Sequence, residues 1–92
     1  MLFVIHCTDK PNRSEIRQAN RPAHVEHLKA HLDKIVVAGP TLTEDGQGMT
    51  GSVLILDFAD RAAAEDFCAN DPYAKAGLFE SVIIRPYKKV LP

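Results

Sequence analysis

The sequence predicts an α+β domain of four strands and two helices in the order β-α-β-β-α-β. Three observations predict it. Four short runs rich in apolar and β-branched residues read as strands: Leu2 to Cys7, Lys34 to Ala38, Ser52 to Phe58 and Phe79 to Tyr87. Two intervening stretches carry helical spacing behind capping residues. The connections hold turn chemistry in Asp9-Lys10-Pro11-Asn12, Gly39-Pro40 and Asn70-Asp71-Pro72.

Each element has a local reason. Leu2-Phe3-Val4-Ile5 opens strand one, and the Asp9–Asn12 turn ends it. Ser14 is placed to cap a helix beginning at Glu15 and running to about Asp33. Pro22 lies inside that helix, where it removes a backbone donor, so a kink near Asn20–Pro22 or a restart at Pro22 is expected. Gly39-Pro40 stops strand two. Three glycines and two acids between Thr43 and Gly51 read as a loop before strand three. Asp60 caps helix two, Arg61 to Ala69. Asp71-Pro72 then starts a short helical turn through Ala76, which Gly77 ends before strand four. Lys88 to Pro92 is a tail.

This order is that of the split βαβ, or ferredoxin-like, arrangement, a four-stranded antiparallel sheet with both helices on one face. A sheet covered on one side should alternate apolar and polar residues. These strands do not: Leu2 to Ile5, Val53 to Leu56 and Val82 to Ile84 are apolar on both faces. A domain of 92 residues also buries a modest fraction of its surface. The expectation is a homodimer joined through the sheet face that the helices leave open.

Composition narrows the function. Residues 1–92 make one domain, 46% hydrophobic and 25% charged, with a net charge of −1. That balance carries no electrostatic footprint for nucleic acid or an anionic membrane. No apolar run approaches the ~18 residues of a membrane span, and MLFVIHCTD lacks the basic start of a signal peptide. Cys7 and Cys68 are far apart in sequence and read as free buried thiols of a reducing, cytoplasmic compartment.

The stretch HVEHLKAH, His24 to His31, holds three of the four histidines. At about 100° per residue, with His24 at zero, the buried stripe of Val25, Leu28, Leu32 and Ile35 centres near 60°. His24 stands on the edge of that stripe. His31 and His27 fall progressively towards solvent and read as solvated. The row lacks H-E-x-x-H, and its rings fan over two turns, so no metal site is assigned. Arg21 and Arg17 fall on the inward face, and an inward arginine needs a partner. Beside His24 they suggest a polar pocket; a plain ion pair across the helix–sheet seam would explain Arg21 equally well.

Asp71 is the candidate partner of His24. As an N-cap its place is fixed, and both helices share one face of the sheet, so contact is allowed. A carboxylate facing a histidine can hold one imidazole tautomer and fit the pair for acid–base work. Ser52 has no G-x-S-x-G context, and Gly46-Gln47-Gly48 follows no strand directly, so neither reads as a nucleophile elbow or a phosphate loop. His6 and Cys7 point to opposite faces of one strand and cannot act together. His6 fits the dimer seam or the pocket; Tyr73 fits the core or the site.

Arg21-x-x-His24, Ala38-Gly39-Pro40, Thr50-Gly51-Ser52, Asn70-Asp71-Pro72-Tyr73 with Ala76-Gly77, and Arg85-Pro86-Tyr87-Lys88-Lys89-Val90 occur in this order along nearly the whole chain. Together they resemble the YCII-related (YciI-like) proteins. The resemblance implies a ferredoxin-like fold akin to the dimeric α–β barrel proteins and a site centred on a histidine and an aspartate. Those positions are His24 and Asp71, with Arg21 nearby. It also implies an activity that most members leave undefined and that a few exercise on chlorinated or hydroxylated aromatics. Val25 stands where a leucine is common.

These readings combine into one expectation. The chain is a homodimeric, cofactor-free enzyme of the lyase, isomerase or dehydrochlorinase type. Its ligand is a small anionic or phenolic molecule. His24 and Asp71 are the catalytic pair, and Arg21, Ser52, Tyr73 and His6 are candidates for holding the ligand. The alternative is a non-catalytic binding or accessory module that uses the same pocket.

Overall fold

A computed structural model describes all 92 residues. Strand β1 is Leu2–Asp9, helix α1 Ser14–Lys29, β2 Ile35–Leu42, β3 Met49–Asp57, α2 Arg61–Ala69, α3 Pro72–Lys75 and β4 Phe79–Tyr87. A 3-10 turn at Leu32–Lys34 leads into β2. The sheet order is β2-β3-β1-β4, and every neighbouring pair is antiparallel. Each helical crossover therefore joins two parallel strands with a third between them, the ferredoxin-like order. No helix is long and apolar enough to cross a membrane.

Four local expectations give way. Ser14 is the first helical residue of α1, and Arg13 precedes it with no side-chain cap. The helix runs unbroken through Pro22, so of the two outcomes expected there only the restart is excluded. It then stops at Lys29 because the chain must turn into β2, so Leu32 leaves the buried stripe and is 68% exposed. Gly39-Pro40 does not end β2. That strand is a sheet edge and pairs with β3 alone, so a missing N–H on its outer side costs no ladder bond. The hairpin loop contracts accordingly to Thr43–Gly48, and β3 begins at Met49 instead of Ser52.

The core forms between sheet and helices. Phe3, Ile5 and Cys7 of β1 alternate inward and meet Leu54 and Leu56 of β3. Phe58, Ala64 and Phe67 cover them from the α2 side. Each fully buried large side chain here contributes about 1.5–3 kcal/mol. Gly51 is required by this packing: a Cβ there would stand 2.1 Å from the Cys7 carbonyl oxygen. The other sheet face carries Val4, Val53, Ile55 and Ile83, registered across β1, β3 and β4, with no element over them.

His27 and His31 are less solvated than their helical angles imply. His27 Nε2 bonds the Phe67 carbonyl at 3.0 Å, and its ring stacks on Phe67 at 4.5 Å. His31 meets the same ring edge-on at 4.9 Å. The two histidines close the seam between α1 and α2. A helical angle measures direction from the sheet alone, and the flank it leaves to solvent is covered here by Phe67 of α2.

Candidate functional site

Asp71 starts α3 as its N-cap, with Pro72 at the first helical position. Its Oδ1 accepts the Tyr73 backbone N–H at 2.9 Å. The same oxygen lies 2.9 Å from Nδ1 of His24, which α1 presents to α3. A carboxylate oxygen serving as acceptor for one N–H accepts the second as well, so Nδ1 carries the proton. Nε2 is then the ring nitrogen left to act on a ligand. His24 and Asp71 are 8% and 4% exposed, so the pair works in a poorly hydrated setting.

The inward arginine is Arg17. It is 6% exposed, whereas Arg21 is exposed at the rim and makes no ion pair within the chain. The Arg17 guanidinium forks onto Asp9: Nε donates to Oδ2 at 2.9 Å and Nη2 to Oδ1 at 2.9 Å. Nη2 also donates to the Gly51 carbonyl at 3.0 Å and to Ser52 Oγ at 3.2 Å. Burial works against the cation, but the Asp9 carboxylate and Tyr73 together outweigh it, and the net shift of the Arg17 pKa is upward. The seam ion pair weighed for Arg21 thus exists one turn earlier. A signal for it was present: alternation along β1 puts Asp9 on the same face as Cys7, at the end of an inward row that faces Arg17.

Tyr73 completes the polar wall. Its ring stacks on His24 with centroids 3.9 Å apart and planes 16° apart, and the Arg17 Cζ stands 4.7 Å from the same ring. Burial pushes the Tyr73 phenol above its usual pKa, while Arg17 and Arg21 oppose the shift. The ring is therefore neutral across the physiological range.

These groups line a cavity of about 170 Å³ between α1 and the β2–β3 hairpin. Arg17, Arg21, His24, Ser52 and Tyr73 form its polar side; Leu28, Leu54, Pro40 and Met49 supply apolar wall. An apolar cavity of about 150 Å³ accepts benzene, so this one has room for a single six-membered ring. The chemistry available is acid–base work at one imidazole nitrogen, beside a rim cation that can meet an anionic substituent.

Of the sequence candidates, His24, Asp71, Arg21, Ser52 and Tyr73 come together. His6 does not: it is exposed on the open sheet face, beside Val4, Ile83 and Arg85, and is no part of the cavity. The histidine row does not converge, because His24 bonds Asp71, His27 bonds the Phe67 carbonyl and His31 Nδ1 meets the His27 carbonyl at 3.0 Å. Cys7 is buried and Cys68 half-buried, both as free thiols. Burial pushes each thiol up to about 12, with neighbouring acids adding to the shift.

Comparison with known proteins finds relatives along nearly the whole chain. The sequence model of the YCII-related domain family matches residues 1–88. A Haemophilus influenzae protein is 39% identical over 97 aligned residues, covering 98% of this chain and 99% of its own. Protein YciI of Escherichia coli is 38% identical with the same coverage. Among solved structures, 5-chloro-2-hydroxyhydroquinone dehydrochlorinase (TftG) from Burkholderia phenoliruptrix, in complex with 2,5-dihydroxybenzoquinone, superposes with a TM-score of 0.89. It is 39% identical, and the match covers 96% of this chain and 94% of that one.

Proposed function

The chain belongs to the YCII-related domain family, and from that premise we propose that it is a cofactor-free lyase or isomerase acting on a small anionic or phenolic ring. The observation that carries this reading is the His24 Nδ1–Asp71 bond of 2.9 Å at the wall of a cavity sized for one ring. Asp71 fixes the tautomer and stabilises the imidazolium that forms when Nε2 takes a proton. Arg21, unpaired at the rim, meets the anionic or phenolate oxygen. Ser52 and Tyr73 shape the remaining polar wall. The dehydrochlorinase at 39% identity supports a phenolic substrate, since its name gives it a chlorinated hydroxyhydroquinone to act on.

The same reading makes the working unit a homodimer, with His6 at its seam. Support comes from the apolar open face, where Val4, Val53 and Ile55 lie side by side across β1 and β3. Two free cysteines suit a cytoplasmic setting.

The test is turnover of 5-chloro-2-hydroxyhydroquinone, followed by chloride release, together with a panel of hydroxylated aromatics and lactones. Turnover of at least one compound, lost by 10²-fold or more in His24→Ala, is the expected result. Saturable binding of 2,5-dihydroxybenzoquinone with no product from any compound would overturn it and leave a binding module.

A further inference from the structure

We propose that Arg17, acting through the Tyr73 ring, is the positioning residue that holds the His24 imidazole in its working orientation. The inference rests on the reading of His24 as the group that moves the proton. It adds a residue that neither the motif around His24 nor the dyad itself contains.

Arg17 and His24 stand seven residues apart on α1, two turns and about 10.5 Å along one stripe of the helix. Tyr73 meets the imidazole at 3.9 Å, nearly parallel, and meets the Arg17 guanidinium at 4.7 Å. Both groups touch this one ring. Guanidinium, phenol and imidazole therefore form one column of contacts along the cavity wall.

Both ends of that column are pinned. Arg17 spends its fork on Asp9, and its Nη2 reaches further to Gly51 and Ser52. These partners belong to β1 and β3, the rigid centre of the sheet. His24 is tied at its edge by Asp71, whose same oxygen holds the Tyr73 backbone. An imidazole held through Cβ and one hydrogen bond can still undergo a small rotation by coupled changes in χ1 and χ2 within the tolerance of that bond. The Tyr73 face stops the rotation, and Arg17 keeps Tyr73 from retreating. A cation over a neutral aromatic face is attracted to it, and burial keeps this phenol neutral.

A buried Arg–Asp pair serving only the fold makes a different prediction. Apolar residues often replace such pairs without loss of stability, and nothing in that role concerns the imidazole. The two roles separate in a measurement on the His24 ring alone.

The protein is labelled with 15N-histidine, and solvent exchange of the His24 Nδ1–H is followed with the ring-current shift of its carbon-bound protons. Wild type and Tyr73→Phe, which keeps the ring, should give one tautomer with slow exchange and an upfield shift. Arg17→Lys, which keeps the charge and loses the planar fork, and Tyr73→Leu should exchange at least tenfold faster and lose most of that shift. Should Arg17→Lys not fold, Asp9→Asn loosens the same fork from outside the cavity and should accelerate exchange in the same direction. Unchanged His24 exchange and shift in a folded Arg17→Lys or Asp9→Asn protein would overturn the proposal. No turnover enters the measurement, so a locked His24 in an inactive protein would sink the catalytic reading while the hold of Arg17 and Tyr73 on the ring is kept.

Discussion

Asp71 performs two tasks with one oxygen, capping α3 and orienting His24. Substitutions can separate them. Asp71→Ala should lose about 1 kcal/mol for the cap and about 1–3 kcal/mol more for the orphaned His24 N–H. Asp71→Asn caps as well as Asp, so chemical denaturation should find its stability nearly unchanged while turnover falls by about 10²–10⁴-fold. Equal activity in wild type and Asp71→Asn would reduce Asp71 to a cap. The thiols make a second residue-scale prediction. Cys7 and Cys68 carry pKa values pushed from 9.0 to about 12 by burial. Between those values the unfolded chain releases thiol protons that the folded one retains, so stability is full below about pH 9 and falls as pH rises towards 12. Native protein at pH 8.5 should react with iodoacetamide more than tenfold slower than the same chain in urea. Equal rates would show that the thiols are not held as described.

Two elements carry consequences beyond their own residues. The β1–β3 approach depends on Gly51, whose carbonyl also anchors Arg17. Gly51→Ala must push β3 off the Cys7 carbonyl and should cost about 1–3 kcal/mol, read as a lower urea midpoint; an unchanged midpoint would mean the strands can part there freely. At the other side of the molecule, the α1–α2 seam uses the stack of His27 on Phe67 and the bond to its carbonyl. His27→Ala should cost about 1–2 kcal/mol in thermal or chemical unfolding and leave the site's activity alone, since the seam lies apart from the cavity lining. A loss of activity larger than the loss of stability would point to a role for the histidine row that its present bonds do not provide.

For the whole molecule the open sheet face carries the proposed homodimer. Helices cover one side of the sheet, while Val4, Val53, Ile55 and Ile83 line the other without an element of this chain above them. Apolar surface of this kind is stabilised by removing it from water, and a second identical face is a self-complementary way to do so. Light scattering at micromolar concentration should return twice the chain mass. Ile55→Asp, which places a charge at the centre of that face, should return the single-chain mass with the helical content intact. A single-chain mass for the wild type would remove the homodimer.

The sequence alone determined the element order, and with it the fold, because strand runs, caps and turn residues are local signals; tertiary contacts moved boundaries, as at Ser14 and Gly39-Pro40, but not the order. Helix two and strand four stand where their residues put them, and Asp60 and Asp71 cap as their side chains dictate. It also singled out His24 and Asp71, since one sits on the edge of an apolar stripe and the other at a helix start. Only the tertiary structure decided that they meet, because 47 residues separate them and the bond needs α1 laid against α3. It also decided which arginine turns inward. A helical angle gives direction but not depth, and Arg17 is inside because Asp9, Gly51 and Ser52 wait for it at the end of two strands. Pro40 within an edge strand and Leu32 in solvent follow from the same cause: local spacing describes a chain segment, whereas burial is settled by what packs against it.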